Sequence, residues 1–412
     1  MVCCLNYADR QSIYSVFPKL KEEFRFDAAQ LGLIGSAFMW VYAAGAPLAG
    51  WIGDRVRRKD LILGGCIFWS LITALTGSCQ KFWHFVTVRG LEGFGETFYF
   101  PASVSLMSDY HSPRTRSRAL SWHQSSVYAG TILGGWLGAW FAENRGWRIG
   151  FYFFGSAGIV LAVVLYKFLR EPSRGASEII DPPSPQSLPR EKEEPLRFNQ
   201  AMAAIFRTPV APLLMLAFVC ANFVATIFLT WTPTFLVEKF QFKLTHAGLS
   251  GAVFIHLASA LAVPIAGGLA DKLARRMASG RMWVQGAGLL AGFAFVVMVG
   301  RTSNVNVLLL SMTVFGFCKG FYDSGIFASL FDVVEPRARG TAAGIMNTVG
   351  WGGGALGPLV VGLATKYGHK GTAIENMSAA IAFAGLAYLL GAALIAAAIV
   401  MMRKKALFPH RT

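Results

Sequence analysis

Charge is scarce in this chain. Asp, Glu, Lys and Arg together make up 15% of its 412 residues, while 54% are hydrophobic. A soluble globule could not hide so much apolar surface, so lipid must cover part of it. Acidic residues are the rarer sign, 22 against 38 Lys and Arg, and the formal net charge of +16 invites a nucleic-acid reading. The basic residues, however, cluster in short segments between apolar stretches, which is the topology signal of a membrane protein and excludes nucleic acid as a partner. Cysteine is sparse as well. Cys3, Cys4, Cys66, Cys79, Cys220 and Cys318 sit mostly inside apolar runs and form no Cys-x-x-Cys spacing, so neither a zinc site nor a disulfide framework is expected. They read as small packing residues. The 44 glycines and 13% aromatics argue against disorder or collagen and suit packed transmembrane helices.

Apolar runs of about twenty residues, the length that spans a bilayer as a helix, lie near 31–53, 61–79, 82–107, 119–142, 149–169, 212–237, 247–270, 282–300, 305–333, 341–364 and 378–402. The stretch 1–20 is weaker because it carries Asp9 and Arg10; counting it gives twelve. It has no basic n-region, which argues against a cleaved signal peptide, and its abrupt beginning suggests a first helix that starts upstream of Met1. One interval, 170–207, is polar, Pro-rich (Asp181-Pro182-Pro183-Ser184-Pro185) and charge-dense, so it reads as a solvated linker. The expected architecture is all-α: a six-helix bundle over 1–169, the linker 170–207, and a second six-helix bundle over 208–412.

The halves echo one another. Gly50-x-x-x-Asp54-Arg55-x-Arg57-Arg58-Lys59 follows the second span, and Gly267-x-x-x-Asp271-Lys272-x-x-Arg275-Arg276 follows the eighth. Asp109-x-x-x-Pro113-Arg114-x-Arg116 follows the fourth, and Asp332-x-x-x-Pro336-Arg337-x-Arg339 the tenth. A duplicated six-helix unit, parallel in the membrane because six is even, is the simplest source. The Asp residues of these loops call for more than a topology signal. Facing the basic groups of a neighbouring helix, they would form a latch that breaks when the halves rock, which gives Asp54, Arg55, Asp109, Arg114, Asp271 and Asp332 a gating role. The loops after even-numbered spans, with the linker and the Arg403-Lys404-Lys405 tail, carry the larger share of Lys and Arg. Both termini are therefore expected in the cytoplasm.

An ionisable side chain at the bilayer centre costs roughly 2.5–3.5 kcal/mol on insertion scales, so each needs a partner or a wet cavity. Those inside the runs are Asp9 and Arg10, then Arg89, Glu92 and Glu96, then Lys319 and Asp323, with His123 and His256 as titratable additions. Arg89, Glu92 and Glu96 follow i, i+3, i+7 spacing and share one inward face. Asp9 and Arg10 point about 100° apart on a helix and must find partners elsewhere, an Asp9–Arg89 pair being the expectation. Lys319 and Asp323, at i, i+4, read either as a self-satisfying helix pair or as functional charges. The two histidines lack a second ligand at metal spacing, so no metal is expected. Gly90-x-x-Gly93-x-Gly95 and Gly350-x-Gly352-Gly353-Gly354 follow no strand and read as close helix packing rather than phosphate loops.

These features resemble the major facilitator superfamily along essentially the whole chain, the loop motif matching at Gly50 to Lys59 and more loosely at Gly267 to Arg276, with Arg57 where that family often has Gly. Within it the chain is most similar to the anion:cation symporters of sugar acids and related organic anions. The matching pieces are Asn6-Tyr7-x-Asp9-Arg10, Ser36-Ala37-Phe38-x-Trp40-x-Tyr42-Ala43 with Pro47 and Gly50-Trp51, Arg89 with Gly95-Glu96 and Pro101, Gly146-Trp147-Arg148, Leu229-Thr230-Trp231-x-Pro233-Thr234 and Asn347-x-x-Gly350. The resemblance implies proton-coupling carboxylates at Asp9 and Glu96 and substrate-binding guanidiniums at Arg10 and Arg89. A polar residue common before the second-span Pro is Ala46 here. The spinster-like lipid transporters share Asn-Tyr-x-Asp-Arg, the fourth-span Arg and Gly93 to Glu96; a greasier cavity could use Phe98, Phe100, Trp122 and Trp136.

The expected activity is proton-coupled alternating-access transport of a small organic anion across a cell (inner or plasma) membrane by a monomer without cofactor. Tyr7, Tyr42, Gln124, Trp231 and Asn347 supply further polar or aromatic contacts to the substrate. A spinster-like carrier of lysolipids or amphipathic compounds is the alternative. No Ser-His-Asp set, paired metal ligands or catalytic loop supports an enzyme, and the linker and tail are too short for the signalling domain of a receptor.

Overall fold

Long apolar runs leave the backbone no partner but itself in lipid, so each run closes its hydrogen bonds as a helix. The computed structural model describes residues 1–53, 55–111, 113–172, 198–335 and 338–407, and within them every element is α-helical. The first half holds α1 (Val2–Ser15), α2 (Phe17–Phe24), α3 (Ala28–Gly53), α4 (Arg58–Thr76), α5 (Phe82–Thr97), α6 (Tyr99–Tyr110), α7 (Pro113–Asn144) and α8 (Trp147–Phe168). A short α9 (Phe198–Phe206) closes the interval assigned to the linker, most of which lies outside the described residues. Then come α10 (Val210–Phe240), α11 (Leu244–Ala274), α12 (Gly280–Arg301), α13 (Val305–Asp323), α14 (Ile326–Val333), α15 (Arg339–Gly354), α16 (Leu356–Tyr367) and α17 (Ala373–Leu407).

Among the described residues, 8 helices are long and apolar enough to cross a membrane on their own. One of these is the broken span α13–α14 (Val305–Val333); the polar α7 and the broken spans α1–α2, α5–α6 and α15–α16 complete a twelve-helix, multi-pass fold. Four spans, α1–α2, α5–α6, α13–α14 and α15–α16, are each two helices in tandem, with breaks at Val16, Phe98, Ser324–Gly325 and Ala355. Proline accounts for three of these. Pro18, Pro101 and Pro358 sit in the first turn of α2, α6 and α16 and cannot donate to the carbonyl one turn back. At the last of these the Gly354 carbonyl is taken by the Thr226 hydroxyl at 2.6 Å, and the neighbouring Ala355 carbonyl by Ser36 Oγ at 2.5 Å.

The chain divides into two units. One comprises Met1–Phe26, Ala37–Glu194 and Lys243–Leu249; the other comprises Asp27–Ser36, Pro195–Phe242 and Ser250–Thr412. In the first, α1 lies along α7 and α4 along α8. The α1–α7 approach is permitted by Gly130, Gly134 and Gly138 at i, i+4, i+8, where any Cβ would collide with the carbonyls of Cys4 and Ala8 and with Ser12. In the second unit, α12 packs between α13 and α17, and α10 lies on α15 and α17. The start of α3 belongs to the second unit and the start of α11 to the first. Lys366 pairs with Asp27 at 2.8 Å inside the second unit, and Glu143 accepts from the Thr245 N–H at 2.8 Å inside the first.

Candidate substrate and coupling site

The glycine stripe on α7 holds α1 close enough to place its one polar turn inside the first unit. Asn6, Asp9 and Arg10 are all buried there. Opposite, Gly93 on α5 rests against the backbone of Phe38 on α3, so a Cβ at Gly93 would meet the Phe38 carbonyl. The Gly-rich α5 segment is therefore packing, as its sequence suggested, and it brings Arg89, Glu92 and Glu96 against α1 and α3. All three are at most 2% exposed.

Arg10 donates to Glu96 Oε2 through Nε at 2.9 Å and again through Nη2. Its guanidinium also lies 4.5 Å from the Tyr7 ring centroid, 4.6 Å from Phe38 and 5.2 Å from Tyr42. Arg89 donates from Nη1 to Glu92 Oε2 at 2.5 Å and sits 4.6 Å from the same Phe38 ring. Phe38 thus serves two cations at once. The expected Asp9–Arg89 pair does not form, because Arg89 finds Glu92 one turn along its own helix. Asp9 instead accepts from the Arg10 backbone N–H at 2.7 Å and from Thr73 Oγ1 at 3.5 Å. Oxygens of Asp9, Glu92 and Glu96 lie within 4.8 Å of one another. Arg89 Nε and Nη2, Glu96 Oε1 and Asn6 Nδ2 are buried without hydrogen-bond partners.

Of the anticipated site residues, Tyr7, Asp9, Arg10, Tyr42, Arg89 and Glu96 come together. Gln124 is exposed on α7, and among the described residues no hydrogen bond joins it to this cluster. Trp231 and Asn347 belong to the second unit; the Trp231 indole donates to the Pro358 carbonyl at 3.0 Å, and Asn347 is half-buried on α15. Glu92 had no role assigned from sequence, although its i, i+3 spacing from Arg89 was visible; Phe38 stood in the Ser36–Ala43 match without a role, and Thr73 had no sequence signal. The second unit carries a Lys319–Asp323 ion pair on α13, as its spacing implied, and a half-buried His256. In the first unit, His123 Nε2 lies 3.3 Å from both the Tyr99 hydroxyl and Ser103 Oγ, a hydrogen-bonded histidine.

The loop ion pairs centre on two arginines rather than on the Asp residues alone. Arg58, 2% exposed, pairs with Asp109 and with Glu171 at 2.8 Å, and donates to the Pro172 carbonyl at 3.0 Å. Its counterpart Arg281 bridges Asp271 at 3.0 Å and Asp332 at 2.6 Å. Arg55 is exposed beyond the end of α3; Asp54 and the Arg114 side chain lie outside the described residues.

Helices broken beside buried ions, in a duplicated twelve-span chain, define a membrane carrier. The family model of the Major Facilitator Superfamily matches residues 1–358 and 247–410, and the chain belongs to that superfamily of transporters. It is 28% identical over 375 residues to the chloroplastic sodium-dependent phosphate transport protein 1 of Arabidopsis thaliana, covering 87% of this chain and 71% of that one. It is 24% identical over 418 residues to a probable galactarate/D-glucarate transporter of Bacillus subtilis (strain 168), covering 95% and 89%. To human protein spinster homolog 1 it is 32% identical over 238 residues, covering 57% and 44%. Its fold matches the crystal structure of a bacterial homolog of the human lysosomal transporter spinster in an inward-facing and unoccupied conformation, with TM-score 0.84, 22% identity, and 98% and 96% of the two chains covered.

Proposed function

We propose that this protein is a proton-coupled secondary transporter of a small organic anion, a sugar acid or similar carboxylate, working by alternating access with both termini in the cytoplasm. The observation that carries the reading is the buried ionic cluster of α1 and α5. Two guanidiniums offer charge-assisted, fork-shaped donors for a carboxylate, and carboxylates in contact with them gain or lose a proton as that charge balance changes. Arg10 and Arg89 bind the substrate, Asp9 and Glu96 carry the proton, and Tyr7 and Tyr42 face the substrate beside them. Arg58 with Asp109, and Arg281 with Asp271 and Asp332, form the two latches that gate transport, and Asp54, Arg55 and Arg114 are assigned to the same gating role. The protein acts as a monomer in the cell's inner or plasma membrane.

Proteoliposomes supplied with D-glucarate should accumulate it and acidify inside under an inward proton gradient. Transport that survives a protonophore and Glu96→Gln unchanged would remove the coupling. The 32% identity to a spinster homolog over 57% of the chain favours a second reading, a carrier of lysolipid or amphipathic cargo. Trp122 is 73% exposed and Trp136 38%, a surface that lipid or such cargo can cover. Competition between sugar acids and lysolipids for binding to the purified protein separates the two.

A further inference from the structure

The two buried guanidiniums are not equivalent. The Nε/Nη2 edge of Arg10, the edge that grips a carboxylate with two parallel bonds, is filled by Glu96. The same edge of Arg89 is empty of hydrogen bonds although the residue is 0% exposed, and only its Nη1 is engaged, by Glu92. A buried donor pair of this shape carries a large desolvation cost until an acceptor arrives. Three carboxylates, Asp9, Glu92 and Glu96, moreover share this volume with two guanidiniums. The other titratable groups facing them, Tyr7 and Tyr14 from α1, Tyr42 from α3 and Cys66 from α4, are phenols and a thiol and supply no positive charge. One negative charge is therefore in surplus where an isolated charge is not tolerated.

We propose that Glu92 is a built-in competitor for the anion: it occupies Arg89 at rest, leaves the Nε/Nη2 edge open as the seat for the incoming carboxylate, and obliges the empty cluster to hold one proton. The proposal rests on the anion-transport reading and refines it. Glu92 sets the affinity by offsetting part of the Arg89 charge, so the substrate carboxylate and Glu92 share one cation and a further proton enters with the anion. Arg10, tied to Glu96, stays out of the first contact.

Two measurements on the purified protein test this. Infrared spectroscopy of the unliganded wild type at neutral pH should show a protonated buried carboxyl. Glu92→Gln, which balances two carboxylates against two guanidiniums, should lose it, and Glu92→Asp should keep it. With D-glucarate as the probe, Glu92→Gln should bind about tenfold more tightly than wild type at pH 8, the weight of one charge-assisted hydrogen bond, with Glu92→Asp in between. A protonated carboxyl of undiminished intensity in Glu92→Gln, or unchanged affinity in a wild type that does bind glucarate, overturns the proposal. Glucarate binding to none of the proteins, with the infrared change as expected, counts against the cargo reading and supports the resting proton.

Discussion

Phe38 carries Arg10 and Arg89 at 4.6 Å on one ring, so its loss should loosen both cations while leaving their ion pairs in place. The Arg10–Glu96 pair is the more demanding partner. Arg10→Met leaves Glu96 buried and uncompensated, and should lower stability by about 3–5 kcal/mol, whereas Arg10→Met with Glu96→Met should recover much of it. Thermal unfolding of the wild type and the two variants in detergent gives the comparison; equal losses for the single and double variants would mean that the pair is not a unit. Thr226 offers a smaller test. Thr226→Val takes the hydroxyl from the Gly354 carbonyl freed by Pro358, and should cost about 1 kcal/mol.

At the scale of helices, the α7 glycine stripe decides where the polar turn of α1 lies. Gly134→Leu would drive α1 off α7, so the expected outcome is loss of anion binding together with a destabilisation of about 1–3 kcal/mol or more; a variant that binds normally would show that α1 is positioned by other contacts. The α2–α8 junction is held differently, by Glu23, which accepts from Trp147 Nε1 at 2.7 Å and from Arg148 at 2.7 Å. The Arg148 hydrogen bonds, joined by that of Trp147, hold the Glu23 carboxyl below the usual carboxylate range. A carboxyl depressed in the folded state stabilises above its unfolded pKa, and that contribution is lost as pH falls through the folded value. The stability gap between wild type and Glu23→Gln should therefore be small at pH 7, because the pair is exposed, and should close as the solution is acidified below pH 4.

For the whole molecule, the Asp27–Lys366 pair joins the start of α3 to the end of α16 within one unit. Partial burial would raise the Asp27 carboxyl, but its bonds to Lys366 and to backbone N–H groups outweigh this and hold it low. If transport requires these ends to part, cysteines at 27 and 366 joined by a short bifunctional reagent should stop glucarate uptake, and reagent cleavage should restore it. Uptake that persists through the crosslink would argue that this contact never opens. The sequence by itself determined the membrane class, the twelve spans, the duplication, and the short roll of ions that must lie inward, because hydropathy and insertion cost act residue by residue. It could not decide which ions pair. Asp9 lost Arg89 to Glu92, Arg58 and Arg281 emerged as the hubs of the loop contacts, and the tips of α3 and α11 changed units. Those outcomes depend on how closely helices approach, which glycine stripes and proline breaks set only once the chain is packed, and only the tertiary structure supplies that distance.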